Sequence, residues 1–139
     1  MSEANRHDDR AEQLLRRVER TMQGRSACEG LPPAEWVSQL RNAVGQSNVG
    51  YSEQADLFGA LADPTRIQIL DLLARKGELC VCEIQAATAQ TQSLTSHHAN
   101  VLKRAHLIRA RKEGRWMYYS LEEGVSGLLS ASKQVLEAR

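Results

Sequence analysis

Between residues 107 and 121 the apolar pattern changes period. In "LIRARKEGRWMYYSL", Ile108 and Ala110 alternate with Arg109 and Arg111; Glu113-Gly114 then turns the chain, and the β-favouring "WMYYSL" follows. That is a β-hairpin. What precedes it repeats at helical spacing instead. "EQADLFGALA" turns Ala55, Leu57, Phe58 and Leu61 inward. In "DPTRIQILDLLARKG", Asp63 suits an N-cap, Pro64 a first turn and Gly77 a C-terminal stop, with Ile67, Leu70, Leu73 and Ala74 as the apolar stripe. A short helix from Cys82 to Ala87 and a longer one from Gln92 to Ala105 come next. After the hairpin, "EEGVSGLLSASKQVLEAR" sets Val125, Leu128, Leu129, Ser132 and Leu136 along one side of a last helix. Helices, a hairpin and a closing helix in this order predict a mainly α fold with a β-hairpin wing, an α+β winged helix-turn-helix.

The remaining N-terminal part reads as an extension. Leu14, Leu15, Val18 and Met22 predict an amphipathic helix over 8–23. "GRSACEGLPP" breaks it, and Pro32-Pro33 open a short helix through "AEWVSQLRNAV". "GQSNVGYS" reads as a linker, which divides the chain into an arm over 1–50 and a domain over 51–139. No apolar run approaches the roughly 20 residues of a membrane helix. The start, "MSEANRHDDRAEQLLRR", is too polar for a secretory signal. A cytoplasmic protein with three reduced cysteines and no membrane partner is expected. A phosphate-binding glycine loop, an HExxH and a nucleophile elbow are all lacking, so an enzyme is not expected.

Net charge is only +1, but it is unevenly spread. Residues 90–121 carry six basic side chains against the single acid Glu113. Such a local basic stretch fits contact with nucleic acid. Within it, "TQSLTSHHANVLKRA" has the two faces a DNA-reading helix needs. Leu94, Thr95, His98, Val101, Leu102 and Ala105 supply a docking side. Gln92, Ser93, Ser96, His97 and Asn100 fall on the other side, where Gln and Asn can pair bidentately with adenine. Lys103 and Arg104 at its end, with Arg109, Arg111, Lys112 and Arg115 around the hairpin, suit phosphate contacts that add affinity without reading sequence. The bland alternative is a solvated helix face. His97 and His98 point about 100° apart on a helix, so they do not readily share a metal, and His98 suits packing.

"GELCVCEI" adds the chemistry. Residues two apart on a helix point about 200° apart. Cys80 and Cys82 therefore converge only if Cys80 precedes the helix and Cys82 lies in its first turn. Backbone N–H groups at a helix start favour a thiolate there, and soft sulfur selects soft ions. Burial as small hydrophobes is the competing reading.

"LADPTRIQILDLL", "ELCVCEI", "TSHHANVLKRAHLI" and "RKEGRWMYYSL" together resemble the ArsR/SmtB family of metal-sensing transcriptional repressors, over about 55–121. The resemblance implies a homodimer, joined through helices near 52–62 and 123–137, that binds double-stranded operator DNA and releases it when an inducing metal binds. It further implies that Cys80 and Cys82 are thiolate ligands for As(III), Cd(II), Pb(II) or Hg(II), with no organic cofactor. The third cysteine of the enteric arsenic repressors is replaced here by Gln85, so Cys28 on the arm is the candidate third thiolate. A second family site, of Asp, His, His and Glu on the last helix, is not expected, because no histidine follows His106. A thiol-based redox-sensing repressor and an effector-independent winged-helix protein are the alternatives.

Overall fold

The computed structural model describes residues 3–22 and 30–139, without the side chains of 3–8 and 11; Cys28 lies outside them. The chain divides into two compact units, 1–50 and 51–139. In the first, α1 (Glu3–Met22) begins five residues before the start that its apolar spacing suggested. α2 (Pro33–Ala43) starts at a proline whose missing N–H costs nothing in a first turn, and the Trp36 N–H closes that turn onto the Pro32 carbonyl at 3.0 Å. The two helices pack on each other, with Val37 buried.

The second unit holds α3 (Tyr51–Leu61), α4 (Pro64–Lys76), β1 (Glu78–Cys80), α5 (Val81–Thr88), α6 (Gln92–Arg104), β2 (Ile108–Glu113), β3 (Trp116–Leu121) and α7 (Val125–Glu137). α4 is the centre, and Ile69, Leu70 and Leu73 are wholly buried in it. Its ends carry the expected punctuation. The Asp63 carboxylate accepts the Arg66 N–H at 3.0 Å, and Gly77 takes a φ of 88°, closed by its N–H to the Leu73 carbonyl at 2.8 Å. Ile84 from α5, Leu102 from α6, Leu107, Ile108, Tyr119 of β3 and Val125 and Leu129 of α7 join α4 in the core.

Three expectations are corrected. The sequence marks Glu78–Cys80 only as the approach to a helix. This stretch forms a three-residue strand on the outer side of β3, with Leu79 opposite Tyr119 and Cys80 opposite Tyr118, so the sheet order is β1-β3-β2. Pairing satisfies backbone groups that a loop would leave to water. In α3, Ala60 is the buried residue and Leu57 and Leu61 are half-buried, while Ala55 and Phe58 are exposed, because only one side meets α4 and α6. Ile67, Ala74 and Leu94 are likewise exposed, because each lies off the side of its helix that the buried residues define, and Leu136 is exposed in the last turn of α7.

Candidate nucleic-acid interface and thiol box

α5 and α6 are joined by the three-residue turn Ala89–Thr91, in which Ala89 adopts a left-handed φ of 54°. Thr91 caps α6 twice over. Its hydroxyl accepts the Leu94 N–H at 3.2 Å, and its carbonyl takes the Thr95 hydroxyl at 2.8 Å. Thr95, His98, Ala99 and Leu102 are buried and fix the helix on the domain. Gln92, Ser93, His97 and Asn100 are exposed, and Ser96 is half-buried. Ser93, Ser96, His97 and Asn100 turn away from the docking residues, and Gln92 lies at their border, about 20° round the axis from Ala99. Lys103 and Arg104 are exposed in the last turn, where cations complement the helix dipole.

His98 is held by a residue that the sequence reading did not single out. Arg66 of α4 donates its Nε–H to the Ala60 carbonyl at 2.6 Å and one Nη to the Gly59 carbonyl at 3.5 Å; its other Nη lies 3.3 Å from His98 Nδ1. A guanidinium only donates, so Nδ1 accepts and the ring proton sits on Nε2. One side chain thereby ties the end of α3 to the middle of α6. The His97 and His98 ring centres are 5.6 Å apart and tilted by 56°, with His98 facing inward and His97 exposed.

In the wing, Glu113 pairs with Trp116 across Gly114-Arg115, and Gly114 takes a φ of 59°. Arg109, Lys112 and Arg115 are exposed, the last with its guanidinium 5.8 Å from the Trp116 ring centre. Arg111 is engaged elsewhere. It grips both oxygens of Glu78 at 2.6 and 3.2 Å, bonds Glu113 at 2.8 Å, and lies 4.8 Å from the Tyr118 ring centre. Those bonds hold the Glu78 carboxyl below its ordinary range and push the guanidinium pKa up. The pair bridges the outer strands β1 and β2 across β3.

Cys80 is the N-cap of α5 and Cys82 lies in its first turn. The Cys80 N–H donates to the Glu83 carboxylate at 3.0 Å, which holds that carboxyl below its ordinary range. Cys80 is half-buried and Cys82 exposed, so neither fills the core. Among the described residues no three His, Cys, Asp or Glu side chains are grouped as a metal site. Two soft sulfur donors, Cys80 and Cys82, are present among the described residues. Among the described residues no helix is long and apolar enough to cross a membrane.

A central helix, a helix-turn-helix and a hairpin wing with an exposed polar and basic surface define a winged helix-turn-helix DNA-binding regulator, not an enzyme. Residues 63–110 match the profile of the bacterial regulatory proteins of the arsR family. The arsenical resistance operon repressor of Bacillus subtilis is 43% identical over 74 residues, 52% of this chain and 70% of its own. An HTH-type transcriptional regulator of Methanocaldococcus jannaschii is 44% identical over 80 residues, 57% of this chain and 90% of its own. The chain belongs to the arsR family. A SmtB homologue and a cadmium-resistance CadC homologue are matched over only 53% and 57% of their lengths. The solution structure of a homodimeric winged helix-turn-helix domain from Mycobacterium bovis is similar, with a TM-score of 0.59 and 36% identity over 67% of this chain and 89% of that one.

Proposed function

We propose that this chain is a metal(loid)-responsive repressor that binds operator DNA as a homodimer and lets go when a thiophilic ion is captured by Cys80 and Cys82, with Cys28 as third thiolate. Gln92, Ser93, Ser96, His97 and Asn100 read base edges. Lys103, Arg104, Arg109, Lys112 and Arg115 meet phosphates, and Arg111 serves the wing by bracing it against Glu78. The observation that carries the reading is the position of Cys80. It is at once the last residue of β1, opposite Tyr118 of the wing, and the N-cap of the first helix of the reading motif. A pull on this one residue acts on both DNA-contacting parts. Half-site spacing is a strict geometric demand on a dimer, so a small shift is enough to cost operator affinity. The relatives named for arsenical and cadmium resistance favour As(III) or Cd(II) as the inducer, with Pb(II) and Hg(II) as further candidates.

The test is titration of the operator-bound chain with each ion, read by ultraviolet thiolate absorption and DNA release together. Both signals are expected to rise in step in the wild type and to vanish in Cys80→Ser and Cys82→Ser. Cys28→Ser is expected to weaken both. Operator binding that no thiophilic ion disturbs would sink the proposal. The exposure of Cys82 also suits a second reading, thiol oxidation, which predicts release by peroxide without any ion.

A further inference from the structure

α1 sorts its side chains by chemistry around its axis. At about 100° per residue, Leu15, Val18 and Met22 share one sector and Glu12 and Glu19 a second. Arg10, Arg16, Arg17 and Arg20 occupy a third, within an arc of about 120°. The apolar sector has a use inside its own unit, where Leu15 lines a pocket together with Ala34 and Val37 of α2. The basic sector has none there among the described residues. Its four arginines and Gln13 line one continuous surface groove, and each of the four is exposed. Among the described residues only Arg16 of the four forms an ion pair, with Glu12 at 3.6 Å. Asp9 is the one described carboxylate within this arc, one residue before Arg10 at the N-terminal end of the sector.

We propose that this basic sector of α1 is a second DNA-backbone contact, separate from the winged helix and blind to sequence. The observations favour DNA over an acidic protein because the partner this chain's family engages is a polyanion of fixed spacing. From Arg10 to Arg20 the helix runs about 15 Å. Over that length a duplex offers about four phosphates on each strand, at about 3.4 Å of axis per phosphate. The guanidinium fork is shaped for phosphate oxygens. Backbone contact needs no base-reading residue, and the described polar members of the sector are four arginines, one glutamine and Asp9, so its charge is net positive. The inference rests on the DNA-binding role of residues 51–139 and adds a site that role does not use.

The test uses the full chain on 20- and 40-base-pair duplexes that the wild type selects from a random pool. R10Q/R16Q/R17Q/R20Q is compared with the wild type and with R10K/R16K/R17K/R20K. On the long duplex the Gln variant is expected to flatten the slope of log K against log salt by about 2 to 4 per helix, at about 0.9 per phosphate lost. Its base preferences are expected to be unchanged, because phosphate contacts carry no sequence information. The Lys variant is expected to keep most of the slope, and R10Q/R17Q about half of the change. A Gln variant with the wild-type slope and affinity overturns the proposal. So does a Lys variant that loses as much as Gln, since charge would then not be the cause. Unchanged DNA binding with lost affinity for poly-glutamate assigns the sector to an acidic protein instead. A wild type that selects no duplex at all fails the DNA-binding reading itself.

Discussion

Arg66 holds the reading helix from a position outside the reading surface. Its three side-chain bonds reach two carbonyls at the end of α3 and the buried His98 of α6, so it sets the angle between those helices. Removing a partly buried donor that serves carbonyl acceptors typically costs about 1–3 kcal/mol. Arg66→Met is therefore expected to lower stability by about that amount in urea unfolding. Operator affinity is expected to fall with it, because the base-reading side of α6 is no longer held. Arg66→Lys keeps a charge without the fork and is expected to recover less than half of the loss. A Lys variant equal to wild type in both measurements would show that charge alone suffices. None of this was visible in the sequence, where Arg66 sits in a run whose periodicity marks only its apolar neighbours. The same holds for Arg111, which the sequence groups with the wing cations and the fold binds to Glu78. Long-range partners leave no local signature. Cys80 and Cys82 were legible in position, because alternation followed by a helix start is a local pattern.

Among the elements, caps and turns are legible in the sequence where one residue type is required. Asp63 and Gly77 announce the ends of α4, and the hairpin announces itself by its change of period. The turn before α6 was not announced, since Ala89 is a poor marker for a left-handed residue. For an L-residue that conformation costs about 1–2 kcal/mol, partly offset in glycine by its larger unfolded-state entropy. Ala89→Gly is expected to stabilise the domain by about 0.5–1 kcal/mol by thermal unfolding. Gly77→Ala is expected to destabilise by about 1–3 kcal/mol through backbone strain alone, because φ is 88° with ψ −79° while an added Cβ would meet no neighbouring residue within 4 Å.

Acid should loosen several of these joints together. The carboxyls of Asp63, Asp71, Glu78 and Glu83 are all held below their ordinary values. The largest cause is, in turn, the Arg66 N–H, the Arg75 side chain, the Arg111 side chain and the Cys80 N–H. A depressed folded-state pKa means the unfolded chain binds protons first. The stability these groups contribute is thus present above their unfolded values and lost as pH falls through the folded ones. The melting temperature is expected to fall from about pH 5 toward pH 3. In a D63N/E83Q variant that slope should be shallower, and an unchanged slope would mean other carboxylates govern it.

For the whole molecule, the surface left open by the 51–139 unit is as informative as its core. Phe58 on α3 is 54% exposed, and on α7 Val135 is 70% and Leu136 56% exposed. Large apolar side chains at this exposure contribute nothing to the unit's own core, and they lie on the two helices that the family resemblance assigns to dimerisation. Substituting them should leave the isolated fold within about 0.5 kcal/mol of wild type. Joining two winged helices converts the second half-site into an intramolecular target, at an effective concentration in about the millimolar range. Val135→Glu/Leu136→Glu is therefore expected to give a monomer in sedimentation equilibrium. Its affinity for a two-half-site operator is expected to fall by about 100-fold or more, while binding to a single half-site changes little. Phe58→Glu should act in the same direction through α3. A charged variant that still sediments as a dimer would place the interface on another surface, and ion-driven release would then have to change half-site spacing through that surface.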